Sequence, residues 1–210
     1  MKHLMVICMN KMSDQTLRYY NQNAGSYVSS TRDVDLSATQ LKFLKLLPRG
    51  GRILDLGCGS GRDTKYFLEQ GFEVDAVDGS EELARMAAEY TGVNVRKMLF
   101  CELSEVEKYD GIWACSSILH LPWPELADVT GRMCTALKPG GIIYTSFKYG
   151  DFSGERNGRY FTDLTEKTFK ELTDNYAALQ IIETWLSTDV RPGREDEKWL
   201  NAILQKSDTI

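Results

Sequence analysis

The sequence predicts an α/β fold in a single domain. From residue 51 onward, short apolar runs alternate with longer segments whose apolar residues recur at helical spacing. Short apolar runs suit strands that are buried on both faces of a parallel sheet, and their alternation with helices is typical of α/β domains. The chain has 210 residues, of which 42% are hydrophobic, and this is enough to bury one core.

Strands and helices are predicted in turn along the central part of the chain. The segment Ser80–Tyr90 has apolar residues at helical spacing, with Ser80 as N-cap and two glutamates that complement the helix dipole. Pro124–Leu137 has the same periodicity, with Pro124 near the first helical position. The predicted strands are Arg52–Leu56, Glu73–Val77, Asn94–Leu99, Gly111–Cys115 and Gly141–Ser146.

Both ends of the chain extend this core. Periodicity predicts an N-terminal helical extension, with one helix over Ser13–Val28, weakened at Gly25, and a second over Ser37–Leu47. Residues 1–12 are expected to be a disordered leader or an over-long start, and their apolar run is too short to span a bilayer. The last third is predicted to hold a helix over Thr165–Asp174 and a closing hairpin of Leu179–Ser187 and Lys198–Gln205.

Charge and cysteine content exclude several classes of protein. The net charge of -5 and the pI near 5.2 argue against a protein that grips nucleic acid through its phosphates, although a local basic patch is compatible with them. The five cysteines are scattered and form no CxxC motif, so they indicate neither a disulfide framework nor a zinc site. We therefore expect a cytoplasmic location, no metal, no membrane association and no nucleic-acid partner, while the oligomeric state is left open.

The loop that follows the first predicted strand carries the functional signal. Asp55-Leu56-Gly57-Cys58-Gly59-Ser60-Gly61 runs from a strand into a helix, where glycines allow positive φ and the helix N-terminus offers unpaired N–H groups. Asp78 ends the next strand, where a carboxylate can accept hydrogen bonds from both hydroxyls of an adenosine ribose. The GxGxG spacing differs from the GxGxxG that packs around a dinucleotide pyrophosphate, which favours a ligand without one.

These motifs resemble those of a known family. Asp55–Gly61 resembles the first motif of class I, Rossmann-like S-adenosylmethionine-dependent methyltransferases, and Leu137–Gly141 resembles their turn before the fifth strand. The chain is most similar to small bacterial members related to the tellurite-resistance and ubiquinone-biosynthesis groups. The resemblance implies a doubly wound, mostly parallel sheet of about seven strands with the last antiparallel. It also implies S-adenosyl-L-methionine as cofactor and S-adenosyl-L-homocysteine as product.

The resemblance also assigns cofactor contacts to particular residues. Tyr20 resembles the lid aromatic of many relatives, although it suits a core position equally well. Arg62 opens a helix, where a positive side chain needs a nearby anion, and either the cofactor carboxylate or Asp63 meets that need. Ser80 has a sufficient role as a helix cap. The full predicted set is Tyr20, Asp55, Gly57, Cys58, Gly59, Gly61, Arg62, Asp78, Gly79, Ser80, Glu102 and Leu103.

His120 is the candidate catalytic residue. It follows the fourth strand, where class I enzymes place residues that face the transferable methyl group, and its ordinary pKa suits proton abstraction near neutral pH. A histidine between Leu119 and Leu121 often has a structural role, and that alternative stays open.

The C-terminal third is expected to hold the acceptor. Its arginines suit a carboxylate or a phosphate, with aromatic side chains as walls, or alternatively form surface pairs with neighbouring carboxylates. The predicted acceptor-binding residues are Tyr149, Arg159, Tyr160, Arg191, Arg194 and Trp199. The corresponding regions are 13–50 for the helices and lid, 51–150 for the cofactor core and 151–210 for the acceptor side.

Together these features predict methyl transfer to a small-molecule acceptor, with an anionic acceptor favoured. Displacement at a sulfonium needs a nucleophile held close and aligned more than it needs acid–base chemistry. The alternatives are a methyltransferase acting on RNA or protein, and an S-adenosylmethionine-binding protein without catalysis.

Overall fold

The computed structural model describes the backbone of residues 11–208 and the side chains of residues 14–208. Most of the predicted leader lies outside the described residues, but residues 11 and 12 belong to the first helix. The helices are α1 (Lys11–Thr31), α2 (Ser37–Leu44), α3 (Arg62–Glu69), α4 (Glu81–Thr91), α5 (Trp123–Ala136) and α6 (Glu166–Thr173). The strands are β1 (Arg52–Leu56), β2 (Glu73–Asp78), β3 (Val95–Lys97), β4 (Tyr109–Ala114), β5 (Leu137–Lys148), β6 (Ser153–Arg156), β7 (Arg159–Thr162), β8 (Leu179–Thr188) and β9 (Lys198–Lys206).

Seven of these strands form one sheet in the order β3-β2-β1-β4-β5-β9-β8. Strands β1 to β5 are parallel, and β9 is antiparallel to both of its neighbours. This arrangement confirms the predicted doubly wound sheet with its last strand antiparallel. The order reverses between β1 and β4, so the carboxyl ends of these strands flank a crevice where ligands bind in open α/β sheets.

Helices cover both faces of the sheet because the central strands are apolar on both sides. In β4, Ile112 packs on the face covered by α5 and α6, whereas Trp113 packs on the face covered by α2 and α3. Trp113 is completely buried and stacks on Tyr144 of β5 with ring centroids 4.0 Å apart. The sheet therefore has an apolar core on each face, and this packing fixes the positions of the strand ends from which the loops begin.

Several boundaries differ from the predicted ones. Helix α1 continues through Gly25 because its inner face packs on α4 and β7. Strand β5 begins at Leu137, where a turn was expected, and a register shift between Tyr109 and Gly111 of β4 accommodates its first residues. Strands β6 and β7 form a separate hairpin that the sequence did not predict. None of the helices between residues 11 and 208 has the length and hydropathy that crossing a membrane requires.

Candidate active site

The glycine loop is held in a conformation that favours glycine at three positions. Gly57, Gly59 and Gly61 have φ angles of 87°, 55° and 78°, all in the left-handed region. A Cβ atom at Gly57 would also lie 2.6 Å from Cβ of Ser117, and one at Gly59 would lie 3.1 Å from the Tyr27 ring. The loop therefore passes tightly between the strand ends and helix α1, with its backbone open to a ligand.

Asp78 ties this loop to the end of β2. Its Oδ2 accepts a hydrogen bond of 2.9 Å from the Gly59 amide, and its Oδ1 accepts one of 2.8 Å from the Ser80 amide. Burial raises the pKa of Asp78 to about 6, although these two amides favour the charged form. Ser80 caps α4 by accepting from the Leu83 amide, as predicted.

A cavity of about 460 Å³ opens beside Asp78. One side is polar and follows the strand ends, whereas the other is formed mainly by the apolar residues after β3. Helix α5 adds Val129 and the charged side chains of Glu125, Asp128 and Arg132. This combination suits a flat, partly apolar ring attached to a hydroxyl-bearing sugar. Its walls include Leu17, Gly57, Gly59, Asp78, Gly79, Leu83, Met98, Leu99, Phe100, Glu102, Ser117 and Leu121.

A smaller cavity of about 130 Å³ lies on the other side of the loop after β4. It is lined by the C-terminal third of the chain and by α3. Its walls include Cys58, Arg62, Asp63, Cys115, Lys148, Arg159, Phe161, Asp189, Arg191, Arg194 and Trp199. The two cavities share five lining residues, namely Tyr20, Tyr27, Gly57, Ser116 and His120. We call the contact between the cavities at these five residues the junction.

Arg62 is oriented by a buried carboxylate. Asp63 accepts from Nε and Nη2 of Arg62 at 2.8 and 2.9 Å, from Gln40 at 2.7 Å and from the Trp113 indole at 2.9 Å. Burial opposes the charge of Asp63, but Arg62 and these donors hold the pKa below its ordinary value. Of the two anions considered for Arg62, the structure shows Asp63 as its partner. Arg62 also lines the smaller cavity.

Asp55 lies beneath the loop and lines neither cavity. Its Oδ2 accepts a hydrogen bond of 2.5 Å from the Thr64 hydroxyl. Burial, together with the charge of Asp63, raises the pKa of Asp55 to about 8. At neutral pH this side chain is therefore mostly protonated, and it braces the loop against α3.

His120 has both ring nitrogens in hydrogen bonds. Nδ1 lies 2.6 Å from the Tyr160 carbonyl oxygen, which can only accept, so Nδ1 carries the hydrogen. Nε2 then accepts from the Tyr20 hydroxyl at 2.8 Å. Burial lowers the pKa of His120 to about 4. A ring so engaged is a poor base near neutral pH, and this environment instead suits a structural link between Tyr20 and β7.

The predicted arginines lie close together, but they differ in their partners. Arg191 donates to Asp189 from both Nε, at 2.9 Å, and Nη2, at 2.5 Å, and Arg194 donates to Glu197 at 2.6 Å. Arg159 forms no ion pair with any residue between 14 and 208, and its Nε is buried without a hydrogen-bond partner. Arg159 lies instead over the rings of Tyr19, Tyr20 and Phe161.

Some predicted site residues line neither cavity. Leu103 is a core residue, Ser80 is occupied as a cap, and Gly61 packs against Ala87 and Thr91 of α4. Tyr149 is 37% exposed. Tyr160 contacts His120 through its backbone carbonyl oxygen and not through its ring. The lining residues that the prediction missed include Tyr27, Lys148, Phe161 and Asp189. Among residues 14–208, no cluster of three or more histidine, cysteine or carboxylate side chains could hold a metal ion.

Comparison with known proteins agrees with this geometry. Residues 53–141 match the family model described as "Methyltransferase domain". A putative methyltransferase of Bacillus subtilis, YqeM, is 32% identical over 117 residues, which are 50% of this chain and 47% of YqeM. The human N-terminal Xaa-Pro-Lys N-methyltransferase 1 is 36% identical over 125 residues, 52% of this chain and 56% of the relative. The chain thus spans about half the length of the curated relatives it matches.

The similarity to solved structures extends over nearly the whole chain. The 1,6-didemethyltoxoflavin-N1-methyltransferase of Burkholderia thailandensis, crystallised with 1,6-didemethyltoxoflavin and S-adenosylhomocysteine, superimposes with a TM-score of 0.76 at 24% identity. The match covers 93% of this chain and 89% of that one. The sheet order and the glycine loop thus define a class I methyltransferase fold. Over its central part the chain is similar to methyltransferases, and the family match together with the bound S-adenosylhomocysteine of the structural neighbour supports S-adenosylmethionine as the cofactor.

Proposed function

We propose that this chain transfers the methyl group of S-adenosylmethionine to a small-molecule acceptor, and that the acceptor is anionic. The observation that carries the proposal is the junction, because it joins a cavity suited to an adenosine with a second cavity of a different chemistry. A cofactor bound in the larger cavity brings its sulfonium to the junction. An acceptor in the smaller cavity then lies in line with the methyl group.

The cofactor contacts follow from the walls of the larger cavity. Asp78 accepts hydrogen bonds from the ribose hydroxyls. Gly57 and Gly59 allow the backbone of the loop to approach the cofactor closely. Arg62 and Tyr27 suit the charged end of the methionyl group, which extends past the junction into the part of the smaller cavity beside the loop. The part beside Arg159 is left for the acceptor. Residues 13–50 thus act as lid, 51–150 as cofactor core and 151–210 as acceptor side.

Methyl transfer here depends on positioning. The S–CH3 bond breaks as the bond to the acceptor forms, and S-adenosylhomocysteine leaves as a neutral thioether. Closing the junction excludes water and holds the nucleophile near the methyl carbon. We assign His120 a positioning role, in which its hydrogen bond fixes the Tyr20 hydroxyl at the junction.

A protein acceptor is the second candidate, because a curated relative methylates protein N-termini by its name. The small volume of the acceptor cavity and its excess of cations favour a compact acceptor over a cationic chain terminus. An RNA acceptor is disfavoured by the acidic net charge of -5.

Calorimetry tests the proposal, followed by turnover on a panel of small acids, amines and thiols. We expect S-adenosylmethionine and S-adenosylhomocysteine to bind and at least one small molecule to be methylated. If the cofactor does not bind, the assignment fails and a structural role remains. If the cofactor binds but only a protein or RNA is methylated, the acceptor class is wrong.

Cofactor affinity is expected to fall in mildly acidic solution. The ribose hydroxyls donate to the charged form of Asp78, so binding lowers a pKa that lies at about 6 in the free protein. Affinity is therefore full above that pKa and falls about tenfold from pH 7 to pH 5, as Asp78 becomes protonated. Asp55 stays protonated over this range, since its pKa is about 8.

Calorimetry with S-adenosylhomocysteine at pH 5, 6 and 7 measures this dependence. The Asp78→Asn protein is the control, because it has no carboxyl to titrate at this position and its affinity should vary little. An equal pH dependence in both proteins would mean that another group controls binding.

A further inference from the structure

The smaller cavity has more positive than negative charge. Five cations and two carboxylates line it, and they are Arg62, Lys148, Arg159, Arg191, Arg194, Asp63 and Asp189. Asp63 neutralises Arg62 and Asp189 neutralises Arg191. Glu197, just outside, is shared by Lys148 and Arg194. Even with Glu197 included, the cations exceed the carboxylates by two, and one of the uncompensated cations is Arg159.

Arg159 contacts the junction directly. Its Nη1 lies 3.4 Å from the Tyr20 hydroxyl, which lines both cavities. Its guanidinium is 4.6 Å from the centroid of the Tyr19 ring and 5.1 Å from that of Phe161. The rings remove water from its faces, and a guanidinium with a buried, unpartnered N–H gains strongly from a bound anion.

The junction holds no group that accepts a proton near neutral pH. Burial lowers the pKa of His120 to about 4, and Nε2 is already bonded to Tyr20. Burial raises the pKa of Tyr20 and of Tyr27, so both phenols stay protonated. Burial, with the charge of Asp63, also raises the pKa of the Cys115 thiol to about 11.

The remaining charged groups of the cavity do not replace a base. Lys148 contacts Glu197 and lies 4.7 Å from the Trp199 ring, and it does not line the larger cavity. Burial and the nearby Arg194 lower the pKa of Lys148 to about 8, so it remains mostly charged at neutral pH. Asp63 and Asp189 are held by arginines.

We propose that the acceptor binds already deprotonated, with its negative charge on, or conjugated to, the atom that receives the methyl group, and with Arg159 as its counter-ion. This inference rests on the proposed function and narrows its acceptor to acidic nucleophiles such as phenolates, thiolates, carboxylates and deprotonated nitrogen heterocycles. The electron pair of the anion forms the new bond to carbon, and the S–C pair stays on sulfur. The sulfonium and the anion are both neutralised, and no proton has to be taken up by the protein.

The charge pattern also explains why a neutral or cationic amine is a poor fit. An ammonium group must lose a proton before it can attack, and the cations around the cavity oppose its entry. An acidic heteroatom becomes easier to deprotonate in the same environment. One set of side chains thus selects the acceptor and replaces a catalytic base.

The test uses 4-nitrophenol, whose anion is yellow and whose neutral form is colourless, titrated into the complex with S-adenosylhomocysteine. S-adenosylhomocysteine cannot donate a methyl group and carries no sulfonium charge. The spectrum therefore reports how the charges of the protein alone change the pKa of the phenol. We expect the pKa of the bound phenol to fall by at least about one unit. Thiocyanate, a small anion without a titratable proton, is expected to displace it.

Variants at Arg159 make the assignment specific. Arg159→Gln should weaken phenolate binding about tenfold or more and abolish the colour shift, whereas Arg159→Lys should retain much of it. Arg85→Gln, on the exposed face of α4, changes the net charge equally and should have no effect. The affinity for S-adenosylhomocysteine should be the same in all four proteins.

Several other outcomes would contradict the inference, and one would also contradict the proposed function. If neither nitrophenol nor thiocyanate binds, if the phenol binds in its neutral form, or if a neutral amine is the better methyl acceptor, the inference is wrong. If Arg159→Gln loses cofactor affinity, Arg159 belongs to the cofactor site and the inference is also wrong. If S-adenosylhomocysteine does not bind the unmodified protein, the proposed function fails as well.

Discussion

Replacement of Asp78 by asparagine is expected to weaken S-adenosylmethionine binding about 100-fold. A hydrogen bond to a charged acceptor contributes about 1.5–3 kcal/mol and one to a neutral acceptor about 0.5–1.5 kcal/mol, so losing the charge from two ribose bonds costs about 3 kcal/mol. The substitution also places an amide nitrogen against the Gly59 or the Ser80 amide, which now donate to the two carboxylate oxygens. The loop that faces the cofactor therefore loses one of its own supports.

Calorimetry measures the affinity, and thermal unfolding without cofactor shows whether the loop change spreads to the whole domain. The matched control is Glu81→Gln, which removes the same charge from a neighbouring, exposed residue whose carboxylate pairs with Lys97. An Asp78→Asn protein that folds and binds within threefold of the unmodified protein would contradict the ribose assignment.

Trp113→Ala is expected to lower the free energy of unfolding by about 3–5 kcal/mol, a large part of the stability of a typical domain. Trp113 is completely buried, stacks on Tyr144 and packs against Phe43 and Phe67. Its indole also donates one of the hydrogen bonds that fix Asp63. The cavity left by the ring and the lost donor act in the same direction.

Urea denaturation at neutral pH measures this change. Trp123→Ala removes the same side chain at a position that is 37% exposed, and it should cost less than about 1 kcal/mol. If the two variants lost equal stability, the core at Trp113 would be less tightly packed than the structure indicates. A Trp113→Phe protein, which keeps a ring but loses the donor, separates packing from the hydrogen bond.

The fold was predictable because local patterns determine it. Apolar runs bounded by glycine give the parallel strands, and Ser80 with its two following glutamates gives the start of α4. That Asp78 and the glycine loop lie side by side was predictable for the same reason, since they follow the ends of two adjacent strands. The hairpin β6–β7 was missed because each strand has only four residues and β6 contains no apolar side chain.

The proposed acceptor side was less predictable because it is assembled from distant parts of the chain. The sequence indicated that Arg159, Arg191 and Arg194 have similar roles, whereas in the structure Asp189 and Glu197 neutralise the latter two. Only the long-range packing of α1 against β7 places Tyr20 beside His120 and Arg159. No spacing along the chain signals such a contact, and none predicted that burial would remove the basicity of His120.

Helix α1 supplies Tyr20 and Tyr27, and both residues wall the two cavities at once. The two rings meet edge to face with centroids 5.2 Å apart, and both belong to the same helix. A shift of this helix therefore opens or closes both chambers together. Under the proposed function, entry of the methyl donor and departure of the methylated product would be coupled through this helix, and its motion would then be expected to influence the rate of turnover.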